Sequence, residues 1–145
     1  MILYAAGAVV SMISGGHLYS RIGKKCLFVL GIVLHSLGIF LLYWVSNSAQ
    51  LSLLVMAYLL MGMGGGLSAN IAQISSLMDF KDKDLLQGSV LWNINRQVAF
   101  SVGAVVLISI FSLMPSSNPL SNYQYTFLIA SILGLFSLIS VSKEK

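Results

Sequence analysis

Only one charged residue of this chain, Arg96, lies inside a long apolar stretch. The other Lys, Arg, Asp and Glu side chains are confined to three short patches, Arg21 to Lys25, Asp79 to Asp84 and Lys143 to Lys145. Charged residues normally make up about a quarter of a soluble domain, whereas here they are 8% of a chain that is 57% hydrophobic. Apolar runs of about 20 residues match the roughly 30 Å hydrocarbon core of a bilayer. The chain is therefore read as an all-α, polytopic transmembrane helical bundle, a single membrane domain over its 145 residues with the lipid bilayer as its immediate partner.

The same yardstick predicts five spans, at about 1–15, 27–46, 52–77, 87–113 and 124–142. The first is short, since about 15 residues at 1.5 Å each reach only some 22 Å. It is expected either to tilt among partners where the bilayer thins or to be preceded by further sequence. The start Met1-Ile-Leu-Tyr-Ala-Ala lacks the positively charged region of a cleaved signal and is kept as part of the protein.

With the basic patches on one side of the membrane, the positive-inside rule makes 16–26 and 78–86 cytoplasmic loops and 143–145 a cytoplasmic tail. Ser46 to Gln50 and Pro115 to Asn122 carry no charge and face outward. Tyr43 and Trp44, and Tyr123 and Tyr125, stand at the outer ends of their spans, where interfacial aromatics are expected. A multi-pass cell (inner) membrane protein with a cytoplasmic C-terminus follows.

A formal net charge of +4 would suggest nucleic acid for a soluble domain, but here the excess sits in short loops beside apolar runs, so no nucleic-acid partner is expected. The single cysteine, Cys26, excludes an intrachain disulfide and reads as a membrane-edge residue. No nucleophile and base pair, metal-ligand cluster or phosphate-binding loop is legible, so neither catalytic residues, nor a metal, nor a cofactor is expected, and an enzyme is the least supported class.

Small residues recur at fourfold spacing: Gly7, Ser11 and Gly15; Gly62 and Gly66; Ala99 and Gly103; Ala130 and Gly134. Such faces let helices approach closely in lipid. The run Met61-Gly-Met-Gly-Gly-Gly66 goes further, and reads as a close helix crossing in preference to a flexing point.

The first cytoplasmic loop reads Gly16-His17-Leu18-Tyr19-Ser20-Arg21-Ile22-Gly23-Lys24-Lys25. Gly16, Leu18, Arg21, Gly23, Lys24 and Lys25 make this loop resemble the signature loop of the major facilitator superfamily, which joins the second and third helices of each six-helix repeat. Ser20 stands where the family often has Asp, a departure commoner in the second repeat, and the five spans then align with the last five helices of such a transporter. Gly62 to Asn70, followed by Gly88-Ser89, Asn93, Arg96-Gln97, Ser101 and Gly103, resembles drug:proton antiporters, especially the 14-span group. The resemblance implies a partial C-terminal half of a secondary transporter that exports small molecules by alternating access, with the missing N-terminal half or a partner subunit to complete it.

Polar residues inside the spans are the candidates for contact with a small-molecule substrate. Asn93, Arg96 and Gln97 share a helical face with Phe100. Arg96 lies near the bilayer centre, where an unpaired Arg costs at least about 2.5 kcal/mol. No span holds an Asp or Glu. Two readings of Arg96 stand: it snorkels toward the cytoplasmic interface, or it lines a cavity and meets a substrate anion or a carboxylate from missing helices. Asn70 and Gln73 either bond between helices or line that cavity. His35 is the one span residue that ordinarily titrates near neutral pH, and is read either as a proton relay or as an interhelical hydrogen-bonding residue. A rival class is a small stand-alone membrane protein that oligomerises as a pore or interaction subunit.

Overall fold

The computed structural model describes residues 2–45, 50–78, 80, 81, 83–114 and 119–143, the side chains of Ser20 and of 139–143 excepted. Five helices follow one another: α1 (Ile2–Ile22), α2 (Lys24–Tyr43), α3 (Leu51–Leu77), α4 (Leu85–Leu113) and α5 (Pro119–Lys143). Helices are the expected solution in lipid, because each one satisfies its own backbone polar groups. By length and composition α2, α3, α4 and residues 2–19 of α1 are long and apolar enough to cross a membrane.

The first predicted loop is the main difference from expectation. Residues 16–22 continue α1 and Lys24 already opens α2, so the loop expected at 16–26 is reduced to a turn at Gly23. The loop was expected to open at Gly16, which has no positive φ. Gly23, at φ 82°, is the one residue in the left-handed region among those described. Gly15 serves packing, as its fourfold spacing with Gly7 and Ser11 predicts, since a Cβ there would lie 3.1 Å from a Leu67 methyl. At 21 residues α1 extends about 31 Å, and its apolar stretch covers Ile2–Tyr19, longer than the roughly 15 residues expected. Substituting Gly23→Ala forces an L-residue into that region and is expected to cost about 1–2 kcal/mol, visible as a lower melting temperature in detergent.

The other helix bounds fall closer to expectation. α5 begins at Pro119 and not near 124, because proline suits the first turn, where no intrahelical N–H bond is needed. The outer-loop residues 46–49 and 115–118, Asp79, Asp82 and the tail residues 144–145 lie outside the described residues.

The glycine run of α3 is a double crossing. On one side, a Cβ on Gly62 would strike the Tyr4 carbonyl of α1, and one on Gly66 would lie 2.5 Å from Ser11 Oγ and 2.8 Å from Ala8 Cα. On the other, a Cβ on Gly64 would lie 2.5 Å from the Gly31 carbonyl oxygen and 2.8 Å from His35 Cα in α2. α1 answers with the buried Gly7, Ser11 and Gly15, and α2 with the buried Gly31 and Gly38. Helix α3 is thus clasped between two backbones at close range, where dispersion replaces the missing hydrophobic drive.

Two further contacts complete the packed unit. Gly134 of α5 lies against Ser36 of α2, whose hydroxyl would be 2.7 Å from a Cβ there. Near the α1–α2 turn, Leu27, Leu67 and Ile71 form a buried cluster onto which Leu18, Tyr19 and Phe28 pack.

Helix α4 stands apart. Among the described residues it touches neither α1 nor α2, and α3 and α5 do not touch each other, so α4 bridges from the end of one to the start of the other. At its first end Gly88 lies against Leu77 and Phe80. At its last end Phe111 packs on Tyr123, with ring centroids 4.6 Å apart. Between these anchors every residue from Asn93 to Val106 is exposed.

Candidate functional site

The signature-like residues sit at the α1–α2 turn. Arg21, Gly23, Lys24 and Lys25 are exposed there, and Gly16 has open space beside it. Leu18 points inward to the Leu27 cluster. The Tyr19 hydroxyl donates to Met78 Sδ at 3.7 Å, which ties the end of α1 to the end of α3. The turn therefore combines an apolar foot with a cationic, solvent-facing rim. The Ser20 side chain, at the position of the family's frequent Asp, lies outside the described residues.

The candidate polar residues do not converge on one site. Asn70 is on the side of α3 that faces α1, its Nδ2 being 3.9 Å from a Cβ placed on Gly15. Gln73 is half-buried one turn further along α3. Among the described residues neither side chain bonds to α4, which meets α3 only sparsely.

Asn93, Arg96 and Gln97 are all exposed on α4. Asn93 Nδ2 donates back to the Ser89 carbonyl at 3.0 Å. The Arg96 guanidinium lies over the Phe100 ring, 5.4 Å from its centroid. Phe100 is one turn toward the C-terminal end of α4, so the guanidinium is held away from the Leu85 end, toward which snorkelling would carry it. From Leu85 to Arg96 the helix rises about 17 Å, which is about half a bilayer core.

The half-buried positions of α4 reveal a pattern that the polar residues alone do not. Ser89, Trp92, Leu107 and Ile110 are half-buried, while Arg96, Ala99 and Gly103 between them are exposed. Together they recur at steps of three and four, the spacing of a helix packing seam. One face of α4 is thus covered at both ends and bare in the middle, and a Cβ on Gly103 would meet nothing within 4 Å. The sequence reading picked out only Ala99 with Gly103 and the polar face of Asn93, Arg96 and Gln97; the continuation through Ser89, Trp92, Leu107 and Ile110 emerges from their burial.

His35 lies where three helices meet. Its Nδ1 is 2.8 Å from the Met61 carbonyl oxygen of α3. A carbonyl only accepts, so the ring donates from Nδ1 and its Nε2 keeps the lone pair in the neutral form. Gly65 makes this contact possible, since a Cβ there would crowd His35 Nδ1 at 3.1 Å and the Tyr4 hydroxyl of α1 at 2.8 Å. Neither Gly65 nor Tyr4 carries a sequence signal of this role beyond the glycine run itself. Changing His35→Leu removes the bond and is expected to cost about 0.6–1.7 kcal/mol, read from chemical unfolding in mixed micelles.

Among the described residues no group of three or more His, Cys, Asp or Glu side chains comes together to hold a metal. What the arrangement offers is a tightly crossed helical unit, a cationic turn and a helix with an uncovered polar seam.

These features accord with the comparison to known families, in which residues 1–143 match the model described as Major Facilitator Superfamily. Neither the curated proteins nor the solved structures contain a match to the chain. Since the match extends over nearly all of an all-helical, multi-pass chain, the protein belongs to the major facilitator superfamily of membrane transporters.

Proposed function

We propose that this chain is the C-terminal part of a proton-coupled exporter of small amphipathic molecules, resembling the drug:proton antiporters, and that it transports only together with a complementary helical half. The observation that carries the reading is the bare middle of α4. A helix with Arg, Asn and Gln on an exposed face is costly against lipid, and such residues in membrane proteins face a bundle interior or an aqueous path. The closely crossed α1, α3 and α2 supply a rigid unit of the kind that rocks as one body in alternating access.

The cationic α1–α2 turn, with Lys81 and Lys83 beyond α3, supports a cytoplasmic location for that end in the cell membrane, and hence a cytoplasmic C-terminus. The spans contain no carboxylate, so a proton-carrying acid belongs to the complementary half.

Efflux from cells tests the reading. Cells producing this chain together with the upstream half should extrude a fluorescent amphipathic cation against its gradient, and cells with either part alone should not. Export by the 145 residues alone would overturn it. A homogeneous closed oligomer with ion conductance would replace it by a pore.

A further inference from the structure

We infer that the bare middle of the α4 seam is a docking site for a transmembrane helix carrying a carboxylate, which pairs with Arg96. This rests on the transporter reading above and names the chemistry of the partner.

The seam runs Ser89, Trp92, Arg96, Ala99, Gly103, Leu107 and Ile110, with its two ends half-buried against this chain and its middle exposed. A face that packs at both ends is already turned toward protein, so its middle is shaped for a protein occupant. From Asn93 to Val106 the bare stretch is about 20 Å long, ample for a helix of about 10 Å diameter to cross.

Ala99 and Gly103 follow Arg96 on the same face by one and two turns. With no side chain at Gly103, and open space beside it, a neighbouring backbone can approach there closely. A substrate cavity has no need of that small-residue step, whereas a crossing helix does.

Charge decides the partner. The guanidinium rests on Phe100, 5.4 Å from the ring centroid, among the exposed residues of the seam. The acids of the chain are Asp79, Asp82, Asp84 and Glu144, none of them in the apolar stretches of the sequence. A second copy of this chain brings no carboxylate to that depth either. An aromatic face offsets only part of the cost of a cation in lipid, so the matching group is an anion on the occupant. A carboxylate accepts two guanidinium N–H bonds side by side, and Asn93 one turn away can donate to a free oxygen.

Photocrosslinking in native membranes tests this. A benzophenone amino acid is placed at Ala99, with Val98, on the opposite side of α4, as control, in the chain co-produced with the upstream half. The expected result is a crosslink from position 99 to a transmembrane peptide containing Asp or Glu, and about tenfold less from position 98. Arg96→Glu should reduce the crosslinked fraction at least about tenfold, and exchanging the partner's acid for Arg should restore it.

Crosslinks only to lipid, to a second copy of this chain, or to a helix without an acid would overturn the inference. So would failure of the charge exchange when both variants are present in the membrane at normal levels. A crosslink lost only when substrate is added would assign the site to an anionic substrate instead, and likewise overturn it. If an acid-bearing helix is found and restored by exchange but no export occurs, the transporter reading fails and the docking site stands; export with a lipid-only crosslink has the reverse meaning.

Discussion

Replacing Gly64 with leucine should remove most of the folded protein from the membrane. A first carbon at that position would already lie 2.5 Å from the Gly31 carbonyl oxygen, 2.8 Å from His35 Cα, and against the His35 amide nitrogen. These are backbone atoms of α2, which cannot turn aside as the end of a flexible side chain does. Relief requires α2 and α3 to separate, and the separation reaches the His35 to Met61 bond and the Gly38 contact with Met61 and Ala57. Overpacking in a core commonly costs about 1–3 kcal/mol, and with unyielding α2 backbone at every one of these contacts we expect about 3 kcal/mol or more, roughly a hundredfold shift toward unfolded protein. Membrane abundance and the monodisperse peak in size-exclusion chromatography both report it. Gly103→Leu is the matched control, since nothing lies within 4 Å of a Cβ there and the packing of this chain is untouched.

The contrast between these two glycines marks how far the sequence could be read. Both belong to small-residue spacings that predict close helix approach, and the spacing does not say which stripe finds its partner within the chain. Gly62, Gly64 and Gly66 are matched by Gly7, Ser11 and Gly31, so the run could be recognised as a crossing, yet its two-sidedness depends on α1 and α2 flanking α3. Ala99 and Gly103 look the same in sequence and are unmatched.

The helical class and most helix positions were legible, because length and charge placement are imposed by the bilayer. The extent of the first loop was not: a loop was expected from Gly16, while α1 continues to Ile22 and the backbone turns at Gly23, where φ is positive. His35 was legible as an unusual residue, but its bond to Met61 through the gap at Gly65 is a tertiary fact. For Arg96, sequence periodicity gave the polar face and left its direction open, and the side chain rests toward Phe100.

Substituting Arg96 by leucine is the second large effect, and its two readouts should move in opposite directions. Leucine at the middle of a span is favoured over arginine by about 3 kcal/mol on insertion scales, so membrane insertion should be unchanged or improved. Transport should fall at least about a hundredfold, because removing Arg96 from the ion pair proposed above leaves the partner's carboxylate uncompensated, at a cost of about 3–5 kcal/mol. Arg96→Lys keeps the charge but loses the paired geometry and the planar stacking on Phe100, and is expected to retain part of the activity. Initial rates of dye efflux, normalised to the amount of inserted protein, measure this. Full transport by the leucine variant would mean that the side chain serves only its own solvation.

The most direct measurement is proton movement in proteoliposomes. Vesicles containing the chain reconstituted with its complementary half, loaded with a pH-sensitive dye and given an outward proton gradient, should hold that gradient until an amphipathic substrate is added, and then lose it in step with substrate transport. Vesicles containing only these 145 residues should hold it throughout. Substrate-driven loss with the 145 residues alone, or a leak independent of substrate in either preparation, would contradict a proton-coupled transporter completed by a second half.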